Sequence, residues 1–213
     1  AAPAHNTLTA AEAKDGWKLL FDGSTTEGWR GFKKENVPEG WQVVEGTLKL
    51  VKPKAGDLIT TAQYANFELL IDWKFDTTGN SGIIYRCDEK NGQTWMTGPE
   101  CQIHLHPADK KPSKTDAGSI YDLYEPSAIA VKPQGEWNTY RIRVEGKKIE
   151  HWVNGQKVVE AVIGSDDWNQ RLAKSKWAKM KSYAALDKGH IALQDHGQAI
   201  AFRNIKIREL TAE

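Results

Sequence analysis

Apolar and polar residues alternate along most of this chain in short runs, and glycine, asparagine or aspartate closes nearly every run. Alternation with a period of two marks strands with one buried face. The clearest case is 67–75, with Leu69, Ile71, Trp73 and Phe75 on one face and Glu68, Leu70, Asp72 and Lys74 on the other. Segments 41–44 and 47–51 flank Glu45-Gly46, and 137–144 and 148–153 flank Glu145-Gly146, so both pairs read as hairpins. Asn154-Gly155 is the strongest turn dipeptide and leads into a strand over 156–162. Segments 80–86, 100–105, 189–197 and 201–207 complete the strand pattern. Helical spacing occurs in a short turn over 9–13 and in 166–180, where Trp168, Leu172 and Lys176 recur behind Ser165 as N-cap. About a dozen short strands with almost no helix predict an all-β chain folded as an antiparallel β-sandwich. Residues 1–14 read as an N-terminal tail and 15–213 as one domain.

The same parity gathers polar side chains. In 100–105 the apolar set is Cys101, Ile103 and Leu105, leaving Glu100, Gln102 and His104 on the opposite face. In 80–86, Ser81, Ile83 and Tyr85 point inward, and Gly82, Ile84 and Arg86 outward. In 189–197, Ile191 and Leu193 face the core while Gln194 and His196 share the other side. A hairpin of 81–88 with 99–106 about Thr94 would set Arg86 opposite Gln102, Ile84 opposite His104 and Cys87 opposite Cys101. The resulting face would hold a carboxylate, a guanidinium, two amides and two imidazoles. Sugar hydroxyls need such paired donors and acceptors. Proton transfer has its parts there too: His104, His196 and Glu100 as acids or bases, and Arg86 to hold an oxyanion. Each also has a plain counterpart, since strand histidines are commonly structural and Glu100 beside a base makes an ordinary ion pair.

The stretch 106–126 is long for a loop in a compact domain. In it, Tyr121 and Tyr124 serve either to stack on a sugar ring or to pin the loop, and His106, Asp109 and Asp116 are metal donors without a tight spacing motif.

Composition narrows the field. With 29 basic and 28 acidic residues, the net charge of +1 gives no nucleic-acid footprint. No apolar run approaches the ~20 residues of a membrane-spanning helix. Nine tryptophans are many for 213 residues; most belong in cores, and some line ring-shaped ligands. The start Ala1-Ala2-Pro3-Ala4-His5 resembles the stub left by signal-peptide cleavage, so a periplasmic or secreted protein is expected. In that setting Cys87 and Cys101 form either a disulfide or two buried thiols. Nucleophile-elbow, phosphate-loop and His-Glu-x-x-His motifs are absent. Glu100 is followed by Gln102 and not by an acid, which disfavours a two-carboxylate retaining mechanism on that strand.

Several motifs occur together: 17–23 with Gly28-Trp29, Asn80-Ser81-Gly82-Ile83 with Arg86, Glu100-Cys101-Gln102-Ile103, Gly118-Ser119-Ile120-Tyr121, Trp137-Asn138, Asn154-Gly155, and 189–197 with Phe202-Arg203-Asn204-Ile205. In these, over residues 15–210, the chain resembles the 3-keto-disaccharide hydrolase domain family. The resemblance implies a concanavalin A-like lectin/glucanase jelly roll with its site on the concave face. It implies exported enzymes acting on glycosides oxidised to a ketone at sugar C3, by elimination or net hydrolysis, with a divalent metal such as calcium or manganese implicated in related enzymes. The motif positions carried over are Arg86, Glu100, Gln102, Tyr121, Gln194 and His196. His104 departs from the pattern, standing where many relatives have an acid. The expected activity is cleavage of 3-keto-glycosides; the competing expectations are a non-catalytic carbohydrate-binding module of the same fold and an adhesion domain.

Overall fold

A computed structural model describes residues 5–105 and 111–211. The alternating segments become thirteen strands in chain order: β1 (Lys18–Leu19), β2 (Trp29–Gly31), β3 (Trp41–Val44), β4 (Thr47–Leu50), β5 (Leu58–Thr60), β6 (Phe67–Lys74), β7 (Asn80–Cys87), β8 (Glu100–His104), β9 (Asn138–Glu145), β10 (Lys148–Val153), β11 (Gln156–Val162), β12 (His190–Leu193) and β13 (Ala201–Glu209). Two antiparallel sheets result. One runs β11-β10-β9-β6-β13-β4-β3, with β1 also on β13; the other runs β2-β5-β12-β7-β8. This is the expected jelly-roll sandwich. Among the described residues no helix is long and apolar enough to cross a membrane.

The core lies between the sheets. Leu69, Ile71, Trp73 and Phe75 project into it from β6 and its end, all at 1% exposure or less. Ile83, Tyr85, Cys101, Ile103, Ile191 and Leu193 meet them from the second sheet. Of the nine tryptophans, six are buried, so most serve packing. At Asn154-Gly155 both residues take left-handed φ (49° and 85°), which a tight β10–β11 hairpin requires.

Two short helices flank the sheets: α1 (Ala10–Lys14), closed by a Thr9–Glu12 capping box, and α2 (Asp166–Ala173), capped by Ser165. The helix expected over 166–180 therefore stops early. After Lys174 the chain continues as turns to 184, and Trp177 packs beneath them.

The β7–β8 register differs from the hairpin expected about Thr94. Gly82 lies opposite Gln102, Ile84 opposite Glu100 and Ile83 opposite Cys101, a displacement of four residues. The connection is not a tight turn but an excursion containing a 3-10 turn at Thr94–Met96. Beyond Tyr85 the strand bulges: Ile84 pairs with Ala192 but Cys87 pairs with His190, and Arg86 between them has φ of 52°. Gly189 lies against the backbone of Arg86, where a Cβ would find no room. The bulge throws Cys87 to the outer face, with Ile59, Ile84 and Ala192, while Cys101 stays in the inter-sheet core. Both cysteines are free and buried, and no disulfide joins them.

Candidate active site

The outer face of the second sheet carries the expected polar residues. Three loops cover it, and hydrogen bonds stitch them together. Trp177 Nε1 donates to Tyr121 O (3.2 Å), the Lys176 amide to Asp122 Oδ2 (2.7 Å), Ser182 Oγ to Met96 O (2.8 Å) and the Ala184 amide to Thr97 O (2.8 Å). Between loops and sheet lies a cavity of about 240 Å³ lined by Asn80, Trp95, Glu100, Gln102, Tyr121, Lys176, Gln194 and His196.

Glu100 is buried in the lining. It is 6% exposed and its carboxyl has no hydrogen bond among the described residues. Burial pushes its pKa up to about 8; Lys176 pulls it down and Asp57 adds to the rise. Its carboxyl rests over Gly82, where a methyl group would come within 2.7 Å of both Cδ and Cγ. A glycine on β7 thus makes the space a protonated carboxyl occupies on β8.

Three amides surround it. Gln102 Nε2 donates to Thr115 O (3.3 Å), which leaves Gln102 Oε1 buried without a partner. Gln194 Oε1 and Asn80 Oδ1 are likewise buried and, among the described residues, unpartnered. Gln194 is held by its backbone, with its amide on Gly82 O (2.9 Å) and its carbonyl accepting from Ser81 Oγ (2.8 Å). Buried acceptors are normally satisfied, so three orphaned oxygens around one carboxyl mark a surface built for a ligand.

The opposite rim is aromatic and cationic. Lys176 Nζ lies 4.1 Å from the centroid of Tyr121, 4.4 Å from Trp177 and 6.0 Å from Trp95. Desolvation pulls its pKa below the ordinary lysine range, against Glu100 and Asp122. One face of the Tyr121 ring is thus taken by an ammonium group. His196 stands exposed at the mouth.

Of the expected site residues, Glu100, Gln102, Gln194, His196 and Tyr121 therefore converge. Three others do not. Arg86 is turned by the bulge to the far end of β7, where Nε and Nη2 donate to Ala65 O (2.8 and 2.6 Å) and Nη1 to Gly146 O (2.8 Å). It ties the two sheets together and is absent from the pocket. Tyr124 pins the loop: its hydroxyl donates to Asp167 Oδ2 (2.7 Å), its ring packs on Trp168 and Arg171 covers it. His104 follows Gln102 on the same face, opposite Asn80, outside the cavity lining. Asp116 is buried and accepts from the Ser113 amide (2.7 Å), while His106 and Asp109 lie outside the described residues.

Asn80, Trp95 and Lys176 were not expected in the site. Asn80 opens the Asn80-Ser81-Gly82-Ile83 motif, and Lys176 adjoins Trp177 in a stretch of lysines. Both signals were legible, but helical spacing assigned Lys176 to a helix face.

The sequence profile of the 3-keto-alpha-glucoside-1,2-lyase-like domain matches residues 16–208. A 3-keto-disaccharide hydrolase from Bacteroides thetaiotaomicron is 32% identical, over 92% of this chain and 79% of that protein. A crystal structure from Parabacteroides distasonis, provisionally described as a glycosyl hydrolase, is 34% identical with a TM-score of 0.87, covering 98% of this chain and 100% of its own. A second from the same organism, described in the same way, is 33% identical with a TM-score of 0.70, over 91% and 99%. Fold, pocket and relatives together define a glycosidase built on a jelly-roll sandwich. The chain belongs to the 3-keto-alpha-glucoside-1,2-lyase-like domain family.

Proposed function

We propose that this protein cleaves glycosides already oxidised to a ketone at C3 of the sugar. The observation that carries this reading is that, among the described residues, Glu100 supplies the one carboxyl of the cavity lining and is buried there, which favours its protonated form. Hydrolysis by the usual two-carboxylate routes needs a second flanking acid. Elimination next to a ketone does not. The C3 carbonyl acidifies the C2 proton, which His196 takes. The electrons of that C–H bond pass through the enolate to form the C1–C2 double bond as the C1–O bond breaks. The departing oxygen receives the Glu100 proton, leaving a 1,2-unsaturated 3-keto sugar and the free aglycone. Water added across that double bond gives net hydrolysis. Gln102, Gln194 and Asn80 offer their buried oxygens to sugar hydroxyls, and Tyr121 closes one wall.

A divalent cation fits the same donor set. The Glu100 carboxyl and the orphaned oxygens of Asn80, Gln102 and Gln194 are hard oxygen ligands of the kind calcium and manganese take. Among the described residues no three His, Cys, Asp or Glu side chains gather to hold a metal in another way. When bound, such an ion would act as a Lewis acid toward sugar hydroxyl oxygens at that wall, and Glu100, ionised as its ligand, would not then serve as the acid.

The test is turnover of an aryl 3-keto-glucoside by Glu100→Gln and His196→Ala proteins, with calcium or manganese added and after chelation. Each substitution is expected to lower kcat by at least 10²-fold. Undiminished turnover in both variants overturns the assignment.

A further inference from the structure

Abstraction of a proton beside a ketone develops negative charge on the carbonyl oxygen, and a fixed cation or donor must meet that charge. Arg86, the guanidinium expected for this task, is bound to backbone carbonyls elsewhere. Among the described residues of the cavity lining, the lysine or arginine present is Lys176.

Its setting is built. Its backbone amide is fixed by Asp122 Oδ2 (2.7 Å). Its ammonium rests on Tyr121 and Trp177, and Trp177 is buttressed by Tyr183, stacked at 4.7 Å with 7° between the planes. Aromatic faces hold a cation without using its N–H groups. Lys176 has no carboxylate within ion-pair distance among the described residues; Glu100 and Asp122 act on it only through their fields. Its three N–H donors are thus uncommitted among the described residues, and it shares the cavity with acceptors on Glu100, Gln102, Gln194 and Asn80.

Resting on the proposed cleavage of 3-keto-glycosides, we infer that Lys176 is a catalytic residue whose ammonium donates to the C3 carbonyl oxygen and holds the enolate. The polarity of the cavity then orients the sugar. The ketone oxygen, which can only accept, goes to the lysine, and hydroxyls, which can also donate, go to the acceptor wall. No covalent bond to Lys176 forms. Its proton stays on nitrogen while the C2 proton passes to His196.

The experiment separates enolisation from bond cleavage. A 3-keto sugar lacking the C1 substituent has nothing to expel, so exchange of its C2 hydrogen in D2O reports enolate formation alone. Aglycone release from an aryl 3-keto-glucoside reports the whole reaction. Lys176→Met is expected to lower both exchange and release by about 10²–10³-fold in kcat with KM changed little. Lys176→Arg restores a tenth or more of each. Glu100→Gln loses release but keeps exchange, because the acid serves only the leaving oxygen. Exchange by Lys176→Met within threefold of the unsubstituted protein overturns the inference, as does a reductant-trapped covalent adduct at Lys176. A protein that neither exchanges nor releases before any substitution instead refutes the proposed reaction itself.

Discussion

The carboxyl of Glu100 lies on the Cα of Gly82, in space that any side chain on Gly82 would fill. The two residues are on neighbouring strands but not directly opposite; Gly82 pairs with Gln102 and Glu100 with Ile84. The group that would yield to a methyl at 82 is the free end of Glu100, not backbone. Gly82→Ala is therefore expected to displace the acid and leave the sandwich intact. Its kcat/KM should fall at least 10²-fold, with thermal unfolding shifted by only a few degrees.

Burial of Glu100 also sets a trade between stability and activity. Its folded pKa of about 8 lies above the ordinary glutamate value of 4.5. Between those values the unfolded chain releases the proton while the folded one keeps it, so stability falls as pH rises through that window. Glu100→Gln removes this penalty and is expected to stabilise the protein at pH 7 by roughly 3 kcal/mol, while abolishing aglycone release. Denaturant unfolding of both proteins at pH 5 and pH 7 checks it: the two curves should converge at the lower pH. In the unsubstituted protein, kcat/KM should decline above about pH 8 as the acid loses its proton.

His151 imposes the opposite dependence. It lies in the core, where its Nδ1–H donates to Gly118 O (2.9 Å) and its Nε2 accepts from the Tyr85 hydroxyl (3.0 Å). Burial holds its pKa down to about 4, below the ordinary 6.5. As pH falls through that interval the unfolded chain gains a proton that the folded one refuses. Stability should therefore drop by roughly 3 kcal/mol by pH 4. Tyr85→Phe leaves Nε2 without a donor and is expected to cost about 1–3 kcal/mol at pH 7, measured by urea unfolding.

Inside and outside were legible along β7, β8 and β12, because period-two alternation follows from strand geometry alone. Ile83, Tyr85, Cys101, Ile103, Ile191 and Leu193 face the core as expected, and Glu100, Gln102, Gln194 and His196 face away. Register was not legible. It depends on the excursion through Thr94–Met96 and on a bulge whose left-handed residue is an arginine, a type that gives no local warning. With the register went the places of Arg86 and Cys87. Lys176 escaped for a different reason: its position follows from Trp177 docking on Tyr121 O and from its own amide on Asp122 Oδ2, contacts between segments more than fifty residues apart in sequence.

Asp57 shows the same kind of long-range positioning. Its Oδ1 accepts from the Asp195 amide (2.9 Å) and its Oδ2 from Thr94 Oγ1 (2.5 Å), while Asp195 Oδ2 accepts in return from the Gly56 amide (3.0 Å). The residues that follow, His196 and Trp95, both line the cavity. Asp57→Ala is expected to lower kcat/KM by about 10–10²-fold and stability by about 1–3 kcal/mol. Asp57→Asn, which keeps one acceptor, should recover most of both.

The most direct measurement of the central claim compares aglycone release from an aryl 3-keto-glucoside and from its unoxidised parent, at equal concentrations of the unsubstituted protein. Release from the keto compound alone, with a 1,2-unsaturated or hydrated 3-keto sugar as co-product, is the predicted result. Cleavage of the parent as fast as the keto compound would contradict the account.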